Sequence, residues 1–201
     1  MGRAKTALEK IAKINVLLLD NDPKIIELMG NVLKTLGFEA LHQAGDGYEG
    51  ARILKDKYID LVITDWDLRP VKEYPDTIPD NSVIASEWGK FPPNNGASFV
   101  KCLRHSPMSP NPFVPVIMLT GPTQPNNILY ARDAGVNEIL MKPIVAEDLC
   151  ERIIAIIDAP RAFITSDHYR GPCRRRKQVP WEGNEERRKL DIKVIKSAKA
   201  S

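Results

Sequence analysis

The sequence predicts an α/β fold, a doubly wound parallel sheet of five strands with helices on both faces. The first observation is that short apolar runs rich in Val, Ile and Leu alternate with stretches of helical spacing. The second is that four of these runs each lead into one polar residue: Asp20, Asp65, Thr120 and Lys142. Because ligands bind beyond the carboxyl ends of the strands in such sheets, these residues predict a functional site at that edge.

The predicted strands occupy residues 14–19, 38–42, 60–64, 114–119 and 137–141. Most of them are rich in Val, Ile and Leu, which is typical of strands that are buried on both faces of a parallel sheet. Polar or charged residues separate these runs, and the segments between them have the length of helices.

Helices are predicted over residues 23–36, 51–58, 96–103, 126–134 and 145–157. Pro23 suits the first turn of its helix, where a missing N–H costs nothing. Gly37 and Gly135 are expected to end two of the helices. Pro160 is predicted to end the folded unit, which therefore spans residues 14–158.

Three segments break the alternation. Residues 1–13 form an N-terminal extension that is either a short amphipathic helix or frayed chain. Residues 71–95 contain several prolines and little periodicity, which predicts a long surface insertion. Residues 159–201 are predicted to be an extended or partly disordered tail, with a helix near residues 185–195.

Composition narrows the class of protein. The three cysteines are odd in number and form no CxxC pair, which argues against a disulfide framework or a zinc site and indicates a cytoplasmic protein. No apolar run has the length of a membrane span, so we expect no membrane contact. Residues 1–158 hold 17 Lys and Arg against 21 Asp and Glu, whereas residues 159–201 hold 12 against 5. The sequence therefore predicts an acidic domain with a basic tail.

The polar residues at the strand ends suit phosphoryl transfer. Asp65 is the candidate nucleophile, because a carboxylate that attacks a phosphoryl group forms an acyl phosphate. Asp20 lies at a neighbouring strand end, and two carboxylates suit Mg²⁺, which takes oxygen ligands and keeps several waters. Lys142 would pair with phosphoryl oxygens, and the Thr120 hydroxyl would donate a hydrogen bond to one of them.

Each residue also has a purely structural interpretation. Asp20, Asn21 and Asp22 precede Pro23 and suit a helix cap or turn. Thr120 is a common turn residue before glycine and proline, and a strand-end lysine is usually a solvated charge. The ordered set at one sheet edge is more specific than any member, and it favours the functional interpretation.

The motifs VLLLDNDP, DLVITDWDL, IMLTG and AGVNEILMKP resemble the response-regulator receiver domain of two-component signalling, in particular chemotaxis-type single-domain regulators. This resemblance implies a flavodoxin-like sheet of order 2-1-3-4-5. It also implies that Asp65 is the phosphorylated aspartate and that Mg²⁺ is held by Asp65, by the main-chain carbonyl of Asp67 and, through water, by Asp20. Thr120 and Lys142 resemble the switch hydroxyl and the phosphoryl-contacting lysine, and the bond from Lys142 to Pro143 is expected to be cis.

Three features depart from the receiver pattern. Asn21 stands where the family usually places a carboxylate that ligates Mg²⁺ directly; its amide oxygen can coordinate, but we expect weaker metal binding. Ile139 stands where many members carry an aromatic switch residue. Residues 71–95 replace a short turn beside the acceptor, and they are either a lid or partner surface or a neutral extension.

The leading hypothesis is a stand-alone response regulator, a switch and not a turnover enzyme. Asp65 would take a phosphoryl group from a histidine kinase or phosphotransfer protein and signal to a protein target through the last helices and strand. A phosphorylation-independent interaction module is the alternative, supported by Asn21 and Ile139. The basic tail, with Tyr169 and Trp181, also permits nucleic-acid binding, which we weigh below a solvated tail.

Overall fold

The computed structural model describes residues 11–68, 95–121, 125–174 and 193–195. Strands and helices alternate as far as residue 158, and three further strands follow. In chain order they are β1 Asn15–Leu19, α1 Pro23–Thr35, β2 Ala40–Ala44, α2 Gly47–Asp56, β3 Leu61–Asp65, α3 Gly96–His105, β4 Val116–Thr120, α4 Pro125–Ala134, β5 Glu138–Met141, α5 Ala146–Asp158, β6 Phe163–Ser166, β7 Tyr169–Pro172 and β8 Lys193–Ile195. Within these described residues, no helix has the length and apolar character needed to cross a bilayer.

The first five strands form one parallel sheet in the order β2-β1-β3-β4-β5. The predicted fold class and strand order are therefore confirmed. The order reverses at β1, because β2 lies on one side of it and β3 to β5 on the other. The carboxyl ends of β1 and β3 flank the crevice at which such folds bind their ligands.

Side-chain alternation along β1 divides the core into two halves. Val16 and Leu18 belong to one buried cluster, whereas Leu17 and Leu19 belong to the other. Successive side chains of a strand point to opposite faces, so each cluster covers one face of the sheet. Helices α1 and α5 pack into the first cluster, for example through Leu33, and α2, α3 and α4 pack into the second. Helices cover both faces, as predicted.

Short polar side chains start three of the helices. Asp22 accepts a hydrogen bond from Lys24 N–H at α1, and Asp46 caps α2 in the same way. Asn95 caps α3 by accepting from Ser98 N–H at 2.8 Å. The predicted insertion therefore ends before Asn95, and its residues 71–94 lie outside the described part of the chain.

Two predicted boundaries in the first half are wrong by a few residues. The second strand begins at Ala40 and not at residue 38, because Phe38 is buried in the core and its N–H bonds to Leu33 O at the end of α1. Helix α2 starts at Gly47, ahead of residue 51, and ends at Asp56, so the exposed Tyr58 lies beyond it. The predicted ends at Gly37 and Gly135 are confirmed, since both have positive φ, 99° and 96°.

The prediction that the folded unit ends at Pro160 is wrong. Strands β6, β7 and β8 form a three-stranded antiparallel sheet in the order β7-β6-β8. Phe163 is only 6% exposed and meets the ring of Phe113 edge-on at 4.8 Å. Burial of this aromatic side chain offsets the cost of ordering the basic segment.

Two further predictions about the termini need correction or limits. The helix predicted near residues 185–195 is contradicted at Lys193–Ile195, which pair with β6 as strand β8; residues 185–192 lie outside the described part. At the other end, Ile11 is buried in the core cluster beside β1, so the folded unit begins before residue 14. Residues 1–10 of the predicted extension are not described.

A fully buried arginine joins the tail sheet to the domain. Arg104 of α3 donates to Pro112 O at 2.6 Å, to Gly135 O at 3.1 and 3.2 Å, and to Asn137 Oδ1 at 3.3 Å. Its guanidinium also lies 5.4 Å from the centre of the Phe163 ring. Burial lowers the pKa of Arg104 to about 9, which leaves it charged at neutral pH.

Candidate functional site

The strand-end residues predicted from the sequence meet at the carboxyl edge of the five-stranded sheet. Asp20 directly follows β1, and Asp65 and Thr120 are the last residues of β3 and β4. Lys142 directly follows β5 and reaches across the edge. Its Nζ lies 2.8 Å from Asp65 Oδ1 and 3.1 Å from Asp20 Oδ2. One ammonium therefore holds both carboxylates.

Backbone amides orient the two carboxylates. Asp20 Oδ1 accepts from the N–H of Asp22 at 2.9 Å, and Asp65 Oδ2 accepts from the N–H of Asp67 at 2.8 Å. Each carboxylate thus has one oxygen bonded to the loop that follows it and the other bonded to Lys142. The two groups are aligned before any ligand arrives, which lowers the cost of organising the site.

Burial and neighbouring charges shift the pKa of Asp20 and that of Lys142. Asp20 is 2% exposed, and its pKa is raised above 3.8 chiefly by burial, with the charge of Asp65 adding to the effect. Lys142 opposes that rise without cancelling it. Burial lowers the pKa of Lys142, but its contacts with Asp65 and Asp20 outweigh burial, so the net shift is upward and the ammonium is charged.

Thr120 shares this edge without joining the ion-paired group. It is buried, and its main-chain carbonyl accepts from the N–H of Lys142. Among the described residues, its hydroxyl makes one long contact, 3.4 Å, to Gly121 O. A contact of this length is weak, so it resists rotation of the hydroxyl little. The peptide bond from Lys142 to Pro143 is cis, as expected from the resemblance.

The oxygen atoms at this edge fit a magnesium ion. Asp20 and Asp65 supply two carboxylates, and Asp67 and Asn21 follow them on the adjacent loops with a main-chain carbonyl and a side-chain amide. Mg²⁺ binds through one or two carboxylates and completes its shell with water. Asp22 does not add a third carboxylate, because its side chain caps α1. No group of three or more His, Cys, Asp or Glu suited to a metal occurs among the described residues.

One glycine beside Asp65 was not singled out in the sequence. A Cβ added to Gly96 would lie 2.0 Å from the carbonyl oxygen of Asp65, so no other residue fits without backbone movement. Its N–H donates to Trp66 O at 2.8 Å, which ties the start of α3 to the acceptor loop. The signal available was the Asn-Asn-Gly sequence before an apolar helix, which is typical of a capped helix start.

Curated chemotaxis proteins are similar to this chain. CheY-3 of Vibrio cholerae is 26% identical over 145 residues, which covers 72% of this chain and 92% of that protein. CheY of Pseudomonas aeruginosa is 24% identical over 145 residues and is covered to 97%. The five-stranded unit has a CheY-like fold. No protein-family model matches it.

Solved receiver domains share the fold. A CheY-like receiver domain protein from Methanospirillum hungatei superposes with a TM-score of 0.53 at 20% identity, covering 72% of this chain and 94% of that one. CheY4 of Vibrio cholerae gives 0.51 at 24% identity, covering 70% and 95%. At these identities, the two matches show a shared fold.

Proposed function

We propose that this chain is a stand-alone response regulator that accepts a phosphoryl group on Asp65. The observation that carries the proposal is the convergence of Asp65, Asp20 and Lys142, with the ammonium 2.8 and 3.1 Å from the two carboxylates. A strand-end carboxylate beside a second carboxylate and a mobile cation provides a nucleophile, a metal environment and a counter-charge for phosphoryl oxygens.

The proposed donor is a phosphohistidine on a histidine kinase or phosphotransfer protein. An oxygen of Asp65 forms a bond to phosphorus while the phosphorus–nitrogen bond of the donor breaks, and its electron pair stays on the imidazole nitrogen. The product is an acyl phosphate on Asp65. A bound Mg²⁺ would neutralise phosphoryl charge, with Asp20, Asp65, Asn21 and the carbonyl of Asp67 as its protein ligands.

The side chains at the edge would respond to the new charge. A phosphoryl group adds negative charge and strong acceptor oxygens. Lys142 already contacts Asp65, so its ammonium would stay with the phosphorylated side chain and weaken its bond to Asp20. The Thr120 hydroxyl would turn toward a phosphoryl oxygen. Hydrolysis would return the carboxylate and inorganic phosphate, so the chain acts as a switch and not as a turnover enzyme.

Intact-mass measurement after incubation with acetyl phosphate and Mg²⁺ tests the proposal. We expect the wild-type chain to gain one phosphoryl group that alkali or hydroxylamine removes. Asp65→Asn should gain none, and the matched control Asp56→Asn, at an exposed residue at the end of α2, should label like wild type. Equal labelling of wild type and Asp65→Asn would exclude Asp65 as the acceptor.

A phosphorylation-independent interaction module is the second candidate. Asn21 and Ile139 favour it, because the first lowers the charge available to a metal and the second removes the usual aromatic switch side chain. A Mg²⁺ titration separates the two candidates. With Trp88→Phe and Trp181→Phe, Trp66 beside the acceptor is the single tryptophan, and a saturable change in its fluorescence at millimolar Mg²⁺ favours the phospho-acceptor.

The structure weakens the nucleic-acid alternative. Tyr169, a candidate for stacking on bases, has Arg174 3.9 Å above its ring and donates its hydroxyl hydrogen to Pro172 O. Arg174 in turn pairs with Asp133 at 3.2 Å. The ring and hydroxyl of Tyr169 are therefore engaged in contacts within the tail segment. The other aromatic candidate, Trp181, lies outside the described residues.

A further inference from the structure

Among helices α1 to α5, helix α4 buries the smallest apolar side chains. Its buried residues are Ala131 and Ala134 alone, whereas α5 buries Leu149, Ile153 and Ile156. Alanine contributes little apolar area to a core, so the packing of α4 is cheap to rearrange. Helix α4 also follows Thr120 in the chain after a short connection. These properties make it the element on which the acceptor site can act.

An aromatic contact joins this helix to the acceptor loop. The ring of Trp66, the residue after Asp65, meets the ring of Tyr130 of α4 at 6.3 Å between centroids and 74° between planes. An edge-to-face arrangement at this distance is an attractive geometry for aromatic pairs. Tyr130 is 43% exposed, so its ring contacts Trp66 near the protein surface and not within the core.

The backbone of Trp66 is fixed while its ring is not enclosed. Its N–H donates to Leu119 O at 3.0 Å, and its carbonyl accepts from Gly96 N–H at 2.8 Å. The side chain is half-buried and packs on the same core cluster as Ile139. The ring of Trp66 contacts α4 directly, whereas the main chain beside it is tied to β4 and α3.

We infer that Tyr130 is a positioning residue that couples the state of Asp65 to helix α4 through the ring of Trp66. The pair supplies the aromatic link that Ile139 does not provide. This inference rests on the proposed function, because it concerns how phosphorylation of Asp65 is read. It predicts that the ring of Tyr130 is required for the response of α4 and not for the phosphorylation itself.

Hydrogen exchange with and without acetyl phosphate and Mg²⁺ tests the inference on the full chain. The readout is the change in exchange of residues 125–134 on phosphorylation, measured beside the extent of labelling. Tyr130→Ala should label like wild type, but its change in exchange should be smaller by about fivefold or more, a typical size for allosteric coupling. Tyr130→Phe keeps the ring and should respond like wild type.

Leu129→Ala is the matched control, because Leu129 is a similarly exposed apolar residue on the same helix, 47% against 43%. It should keep the wild-type response. A full response in Tyr130→Ala, or an equal loss in Leu129→Ala, would overturn the inference while Asp65 still labels. Absence of labelling in the wild-type chain would instead remove the proposed function, and the coupling with it.

Discussion

The two edges of the five-stranded sheet each hold a cation. Carboxylates contact the cation at one edge, and uncharged oxygens contact the cation at the other. At the carboxyl edge, Lys142 is 29% exposed and sits between two carboxylates. At the amino edge, Arg104 is fully buried, and its hydrogen bonds to described residues go to the oxygens of Pro112, Gly135 and Asn137, none of which belongs to a carboxylate. The first arrangement keeps its charges near solvent, whereas the second is closed.

The difference separates a site that can exchange partners from one that cannot. A partly exposed ammonium between two carboxylates can be replaced or joined by another cation, because solvent can hydrate the ammonium and the carboxylates when they separate. A buried guanidinium held by carbonyl oxygens is harder to replace, because the carbonyl of Gly135 is buried and would lose its donor. Function is therefore expected at the carboxyl edge and stability at the amino edge.

The largest expected effect is at the amino edge. Arg104→Ala leaves the carbonyls of Pro112 and Gly135 without their donor and removes the support of Phe163. We expect a loss of about 3–5 kcal/mol in the free energy of unfolding, measured by urea denaturation. Arg132→Ala is the control, because Arg132 forms a half-exposed pair with Asp133 and should change stability by less than about 0.5 kcal/mol. A loss below about 1 kcal/mol for Arg104→Ala would contradict the structural role.

Phe163→Ala tests whether the tail sheet stabilises the domain. Phe163 is 6% exposed between Phe113 and Arg104, so its removal creates a cavity, and we expect a loss of about 3 kcal/mol. Ile164→Ala, the next residue of β6 with a half-buried side chain, should cost about 1 kcal/mol. Equal small effects in both would mean that the tail sheet does not stabilise the domain.

Lys142→Ala tests whether another cation can replace the ammonium at the carboxyl edge. Without the ammonium, Asp20 and Asp65 face each other unneutralised, and we expect a loss of about 1–2 kcal/mol at neutral pH. Mg²⁺ should recover most of this loss, because a divalent cation can neutralise the same carboxylates. The thermal midpoint with and without millimolar Mg²⁺ is the measurement. Arg104→Ala keeps the carboxylates of the opposite edge, so Mg²⁺ should raise its midpoint only by as much as it raises that of wild type. An equal gain in wild type, Lys142→Ala and Arg104→Ala would contradict the replacement of the ammonium by the metal.

Asp20→Asn should give the smallest effect, visible in its pH dependence. The pKa of Asp20 is raised in the folded state, chiefly by burial, above the unfolded value near 3.8. The folded state then binds more protons than the unfolded state, so this group contributes stability at low pH that is lost as pH rises through its folded pKa. Without metal, the variant should gain stability relative to wild type between about pH 3 and about pH 7. A constant difference across that range would contradict the shift.

The sequence predicted the carboxyl edge better than the amino edge for a physical reason. Asp20, Asp65, Thr120 and Lys142 each follow or end an apolar run, and parallel strands bring such residues to one edge whatever the details of packing. Arg104 and Phe163 carry no such signal. Their contact joins residues far apart in the chain, and its stabilisation depends on which carbonyls and rings happen to surround the guanidinium.

The sequence by itself determined the alternation of elements, the parallel sheet and the edge at which the charged residues gather, because periodicity and strand-end chemistry are local properties. Only the tertiary structure decided that Lys142 bridges both carboxylates, that Trp66 meets Tyr130, and that the basic tail folds onto the domain. These outcomes depend on distances between side chains of different elements. Such distances follow from close packing of the whole chain and not from the pattern of any segment.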